Sequence, residues 1–150
     1  MKKMILLFLF PLLGLAQNNK LDKKSGFANY FFGTSPNEYK NLMLELEEGN
    51  STLYSLEQSP IKIDGIEFEY VRVTFYHNKL SVISLRTKNS MGAKFLQAIK
   101  ENYGEPTKSN SKNETYEWNS NKIQLVFANN VFNKDAVIDF YYKETSKNKG

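Results

Sequence analysis

Over most of this chain apolar residues recur at every second position, the period of a strand with one face buried and the other wet. Ile123, Leu125 and Phe127 form one such set, and Ala136, Ile138, Phe140 and Tyr142 another. Half-wet strands of this kind predict antiparallel pairing. Before them, 114–118 places Tyr116 and Trp118 on one strand face, and Asn119-Ser120-Asn121 reads as a turn. Ile61-Lys62-Ile63, Asp64-Gly65, Ile66-Glu67-Phe68 is a two-residue hairpin signal, because Asp-Gly accepts the positive φ angles of the tightest turns. The second arm runs on to Tyr76. His77-Asn78 predicts another tight turn, and 79–87 the return strand. Both long strands change phase: Ile66, Phe68 and Tyr70 give way to Val71, Val73 and Phe75, and Leu80 and Val82 to Ile83 and Leu85. A β-bulge, or burial on both faces at mid-strand, accounts for such a change.

Two segments break the strand period. Ser90 predicts the cap of a main helix over about 91–103, with Phe95, Ile99 and Tyr103 as its apolar stripe; Gly104 and Pro106 end it. Ser35-Pro36-Asn37-Glu38 is a second helix start, with a capping hydroxyl, proline at the first position and a carboxylate at the third. Residues 42–47 fit a helical stripe or a strand equally well. Glu45, Glu47 and Glu48 oppose the dipole at a helix C-terminus, which favours a short helix at about 36–41 followed by a hairpin through Gly49-Asn50. Phe27–Phe32 reads as a first strand. The predicted class is α+β, mainly antiparallel β-sheet with one main and one short helix.

The N-terminus has the three parts of a secretory signal: Lys2 and Lys3, the apolar run Met4–Leu13, and the small-residue site Gly14-Leu15-Ala16. The run is shorter than the roughly 20 residues of a membrane span, and Gln17 stands where a lipoprotein has cysteine. The expected organisation is a signal peptide at 1–16, a flexible arm at 17–26, a single domain at 27–143 and a disordered tail at 144–150. The expected location is exported, periplasmic or extracellular, without stable membrane insertion after cleavage. Abundant Lys and Asn fit a bacterium with an AT-rich genome. With no Cys in the chain, stability rests on packing and hydrogen bonds.

The net charge of +4 conceals an asymmetry. Residues 38–69 hold eight acidic and two basic residues, whereas 70–150 hold thirteen basic and seven acidic. The basic residues are scattered rather than gathered on one element, which argues against nucleic acid as a partner. Chemistry is sparse. The single histidine, His77, falls in a turn; there is no thiol, no nucleophile elbow and no zinc-ligand set. Glu45, Glu47 and Glu48, and the loop with Asn129, Asn130, Asn133 and Asp135, read as solvated surface rather than calcium sites. Glu67 and Glu69 share a strand face about 7 Å apart, a carboxylate pair that also suits any wet strand. No catalytic residue, cofactor or metal is assigned. The binding candidate is stronger: with Val71, Val73 and Phe75 turned inward, Tyr70, Arg72, Thr74 and Tyr76 turn out, joined by Arg86. Tyr and Arg are the residue types of interface hot spots. The expected function is a non-catalytic interaction module with an envelope protein as partner. The alternative is a small-ligand-binding protein or a carboxylate-dependent hydrolase, which requires a concave pocket.

The motifs Phe32-Gly33-Thr34, Ile63-Asp64-Gly65-Ile66, Val73-Thr74-Phe75, Asn78-Lys79-Leu80, Tyr103-Gly104-Glu105-Pro106 and Tyr116-Glu117-Trp118 span most of the chain after the leader. Together they resemble small exported bacterial α+β proteins of unknown function. At the level of fold the chain is also similar to small outer-membrane assembly lipoproteins and to β-lactamase-inhibitory proteins. It departs from the first in lacking the lipidation cysteine, and no inhibitory loop of the second is recognisable. The resemblance implies a helix-plus-sheet fold and carries no chemistry.

Overall fold

A computed structural model describes residues 20–57 and 61–143. The expected signal peptide at 1–16 and tail at 144–150 lie outside the described residues. The fold is α+β, with about half of the described residues in strands. Its strands are β1 (Gly26–Phe27), β2 (Tyr30–Phe31), β3 (Leu42–Glu48), β4 (Ser51–Leu56), β5 (Ile61–Ile63), β6 (Ile66–Tyr76), β7 (Lys79–Thr87), β8 (Lys108–Asn110), β9 (Thr115–Asn119), β10 (Ile123–Asn129) and β11 (Ala136–Tyr142); the main helix α1 is Gly92–Tyr103. Strands β3 to β11 make one nine-stranded sheet in the order β3-β4-β6-β7-β11-β10-β9-β8, with β5 added to β6. Every pairing is antiparallel. Two meanders, β3 to β7 and β8 to β11, therefore meet where β7 pairs β11.

The phase change in the long strands comes from two bulges. Phe68 pairs Thr87 and Tyr70 pairs Arg86, so Glu69 is the extra residue in β6. Thr74 pairs Val82 and Phe75 pairs Leu80, so Ser81 is the extra residue in β7. Each bulge resets the alternation, which keeps Ile66 and Phe68 on the same buried side as Val71, Val73 and Phe75. Both predicted tight turns form: Asp64 and Gly65 have φ of 50° and 77°, and His77 and Asn78 have 48° and 60°.

The inner face of the sheet is the core. Val71, Val73, Ile83, Leu85, Leu125, Phe127, Ile138 and Phe140 are fully buried there. α1 lies over this face with Phe95, Ile99 and Tyr103 turned in. Phe27 joins helix to sheet, its ring 5.9 Å from Phe95, 6.1 Å from Phe68 and 5.7 Å from Phe140. The Trp118 indole N–H donates to Gly104 O at 2.8 Å, so Trp118 seals the helix end and belongs to the core.

Four local expectations are corrected. Phe27–Phe32 is two short strands, β1 and β2, folded back on each other through a turn at Ala28, whose φ is 51°. The short helix at 36–41 is a single 3₁₀ turn, Pro36–Glu38; Ser35 does cap it, but Tyr39 is already extended and 42–48 is strand β3. Ser90 does not cap α1. Its hydroxyl donates to Asn133 O at 2.7 Å, and Met91 stands at the N-cap without a side-chain bond. The helix start is held instead by the β10–β11 loop: Gly92 N–H donates to Lys134 O at 2.9 Å, and Met91 N–H to Asp135 Oδ1 at 3.2 Å. Finally, β8 adds a strand that no apolar pattern announced. Within the segment expected as an arm, residues 20–24 are helical and Leu21 is buried.

Candidate functional site

Because α1 and the β1–β2 hairpin both lie against the inner face, the outer face of the sheet carries no second layer among the described residues. The period-two geometry then decides what it displays. All five expected binding residues, Tyr70, Arg72, Thr74, Tyr76 and Arg86, are partly exposed on it. Strand register sets them in rows. Tyr70 stands opposite Arg86, and Arg86 opposite Val137. Arg72 stands opposite Ser84, and Ser84 opposite Asp139; Thr74 stands opposite Val82, and Val82 opposite Tyr141. These nine residues form a grid on the order of 10 by 15 Å across three strands. On the β4 side, Leu53 and the exposed Leu46 extend the Thr74 row. Tyr76 is separate: it ends β6 opposite Lys79, with its ring edge-on to His77 at 4.3 Å.

The two arginines are held in place by carboxylates of the same chain. Arg72 Nε lies 3.1 Å from Glu45 Oε2, an ion pair without hydrogen-bond alignment, and its guanidinium sits 4.5 Å over the Tyr70 ring. Arg86 Nε lies 3.0 Å from Glu69 Oε2. Both carboxylates come from irregular points in the strand ladders. Glu69 is freed from the ladder by the β6 bulge, and Glu45 sits where the β3–β4 register shifts between Leu44 and Leu46. Both pairs are partly exposed, so they fix side-chain geometry more than they stabilise the fold. Burial, then the charge of Asp139 and its hydrogen bond, push the Tyr141 hydroxyl above its ordinary value, which keeps it a neutral donor.

Val82, Val137, Asp139 and Tyr141 belong to this surface as much as the five expected residues do. For Val137, Asp139 and Tyr141 the signal was present as the wet half of the β11 alternation; Val82, which the sequence pattern grouped with Leu80, is turned to the outer face by the Ser81 bulge. What local pattern does not carry is the pairing of β7 with β11, which lie some fifty residues apart.

The chemical alternatives fare differently. Glu67 and Glu69 have separate partners: Glu67 accepts from the Asn89 side chain, and Glu69 pairs with Arg86. In the oxygen-rich loop the oxygens of Asn130, Asn133 and Asp135 are taken by protein donors, while Asn129 Oδ1 is buried without a hydrogen-bond partner. Asn130 Oδ1 accepts from Phe132 N–H at 2.9 Å, Asn133 Oδ1 from Asp135 N–H at 2.9 Å, and Asp135 Oδ1 from the Thr87 hydroxyl at 3.1 Å. Among the described residues no three His, Cys, Asp or Glu side chains gather as a metal site, and no helix is long and apolar enough to cross a membrane. One cleft, of about 190 Å³, opens between α1 and the two hairpins β1–β2 and β5–β6. Its walls include Phe27, Ile63, Ile66, Phe95 and Ile99, with Lys24 and Asn102 among its polar lining.

Comparison with known proteins finds no matching family model, curated protein or solved structure.

Proposed function

We propose that this is an exported, non-catalytic interaction module that binds a protein partner of the cell envelope over the outer face of its sheet. The observation that carries the reading is the uncovered grid from Tyr70 to Tyr141, where Tyr, Val and Arg stand on rigid strands with both arginines pre-positioned by Glu45 and Glu69. Such a surface loses little side-chain entropy on binding, because its rotamers are already restricted. Its aromatic and arginine content is that of an interface centre rather than of a wet sheet face. The lack of a thiol or nucleophile elbow in the sequence and the separate engagement of Glu67 and Glu69 favour binding over hydrolysis.

The test is a photo-reactive residue placed at Ser84, the centre of the grid, in the cell that makes the protein. A discrete adduct from Ser84, weakened by Tyr141→Ser and absent from a control probe at Gln97 on the exposed side of α1, is expected. Equal labelling from both positions, or none from Ser84, contradicts the reading. A second reading, a small-ligand binder, is favoured by the cleft beneath α1. It expects Phe95→Trp fluorescence to respond to an apolar ligand while the Ser84 probe stays silent.

A further inference from the structure

The cleft beneath α1 is apolar inside and cationic at one mouth. Phe27, Ile63, Ile66, Phe95 and Ile99 form its walls, and Phe31, 48 % exposed, stands at its lip. Ala98 on α1 and Ala28 in the β1–β2 turn also line it, and each leaves open the volume that a longer side chain would fill. Apolar walls around open space, with a few polar groups at the edge, are the composition of a small-molecule site. The cleft measures about 190 Å³. A cavity of about 150 Å³ takes up benzene, so a body of roughly six to eight carbons fits here.

Charge distinguishes the two ends. Lys94 and Asn102 are eight residues apart on α1, about 12 Å along its axis, and each marks one end. At the Lys94 end the lining includes Asp64, and Lys94 Nζ donates to Gly65 O beside it at 3.3 Å, so one carboxylate meets one ammonium. At the Asn102 end Lys24 lines the cleft, and Lys20 and Lys23 join it around an adjoining hollow. Lys24 Nζ donates to Asn102 Oδ1 at 3.3 Å, a neutral acceptor that leaves its charge uncompensated. None of the three lysines has an ion-pair partner among the described residues. The carboxylates of this end do not cancel them. Glu101 accepts from the Gln97 amide at 3.0 Å, and Asp22 from the Ser120 hydroxyl and Lys122 N–H. Both stay anionic, but three lysines outnumber them, and Lys122 beside Asp22 adds a fourth cation. Glu105 is matched by Lys100 at 3.5 Å. The mouth at Asn102 is therefore net positive with every carboxylate counted.

We infer that the cleft binds a small amphiphilic carboxylate, its apolar body between α1 and the two hairpins and its single negative charge at Lys24. The inference rests on the second reading above, that this cleft is a ligand site, and names the class of ligand. A phosphate head would favour the paired N–H groups of arginine, and no arginine lines the cleft. One carboxylate matches the one amine that does. The cleft lies on the opposite side of the sheet from the Tyr70–Tyr141 grid, so each can be occupied without the other.

The experiment titrates the full chain, labelled at its isoleucine methyl groups for NMR, with octanoate below its micelle concentration and with octanamide, which has the same body and no charge. Octanoate is expected to shift the methyl resonances of Ile63, Ile66 and Ile99 saturably, and to bind about tenfold more tightly than octanamide. Lys24→Glu is expected to remove that advantage and leave the octanamide affinity unchanged, a split that a merely structural role for Lys24 would not produce. Ala98→Leu, which fills the cleft, is expected to abolish binding of both. No shift of these methyl groups with either compound overturns the proposal together with the small-ligand reading. Equal affinities for the two compounds, or an octanoate preference that survives Lys24→Glu, overturn the proposal while the cleft stands as a ligand site.

Discussion

The two faces of the sheet are made by the same strands and divided by one residue of phase. On β11, Ile138 and Phe140 are fully buried while Val137 and Tyr141 are each 39 % exposed. Both sets contain large apolar side chains, so composition does not separate them. What separates them is the covering layer: α1 and the β1–β2 hairpin sit on one side, and nothing among the described residues sits on the other. The lesson is that similar side chains carry different free energies in the two places. An inner-face residue contributes stability because it is already out of water. An outer-face residue leaves that contribution unrealised while it faces water.

The largest effect expected from this contrast is at Phe140, whose ring lies 5.7 Å from Phe27 and 5.8 Å from Tyr103. Phe140→Ala should lower unfolding free energy by about 3–5 kcal/mol, measured by denaturant titration. A loss below about 1 kcal/mol would mean that the inner face is not the core. Next comes Gly92, where the helix layer abuts the loop at the sheet end. A Cβ at this position would meet Asn129 Oδ1 at 2.3 Å and Lys134 O at 2.7 Å. Gly92→Ala is expected to cost about 1–3 kcal/mol, although alanine is the better helix former. A stabilised Gly92→Ala would show that helix and loop are not in contact.

A smaller effect is expected at Tyr103, and it depends on pH. Its hydroxyl donates to Gly26 O at 3.0 Å, and burial holds its pKa well above the ordinary value near 10. Tyr103→Phe should cost about 1 kcal/mol at neutral pH. Above about pH 10 the unfolded tyrosine releases its proton while the folded one keeps it. The unfolded state then binds fewer protons, and stability falls as pH rises. The variant should lose stability less steeply there, with the remaining slope coming in part from Tyr30 and Tyr141, whose burial acts in the same direction. Equal slopes for variant and parent would remove Tyr103 from the buried layer. The smallest effect is expected on the outer face: Arg72→Gln breaks a partly exposed ion pair and should change stability by less than about 1 kcal/mol, while weakening the Ser84 adduct.

Much of the fold was legible because it is local. Asp64-Gly65 and His77-Asn78 announce their turns by side-chain tolerance of positive φ, Gly104 with Pro106 announces the helix end, and the phase changes in β6 and β7 announce an irregularity, a bulge or two-faced burial, which the structure resolves as bulges at Glu69 and Ser81. The misreadings are those in which a distant contact overrides the local signal. Ser90 has the chemistry of a cap, but Asn133, forty-three positions away, takes its hydroxyl. Strand β8, Lys-Ser-Asn, has no apolar residue and exists because β9 offers it a backbone edge. For the outer surface, the β6 residues could be read from alternation alone, and the β11 residues could not, since their place beside β7 is a matter of topology.

The most direct test compares two variants in one denaturation experiment. Val82→Ser, Val137→Ser and Tyr141→Ser combined strip the outer face of apolar groups, and Ile138→Ala removes one inner side chain from the same region of the sheet. The triple variant should unfold within about 1 kcal/mol of the parent, with Ile138→Ala lower by about 2–5 kcal/mol. A triple variant that loses as much stability as Ile138→Ala would show that the outer face is structural core, and the account of it as a binding surface would be wrong.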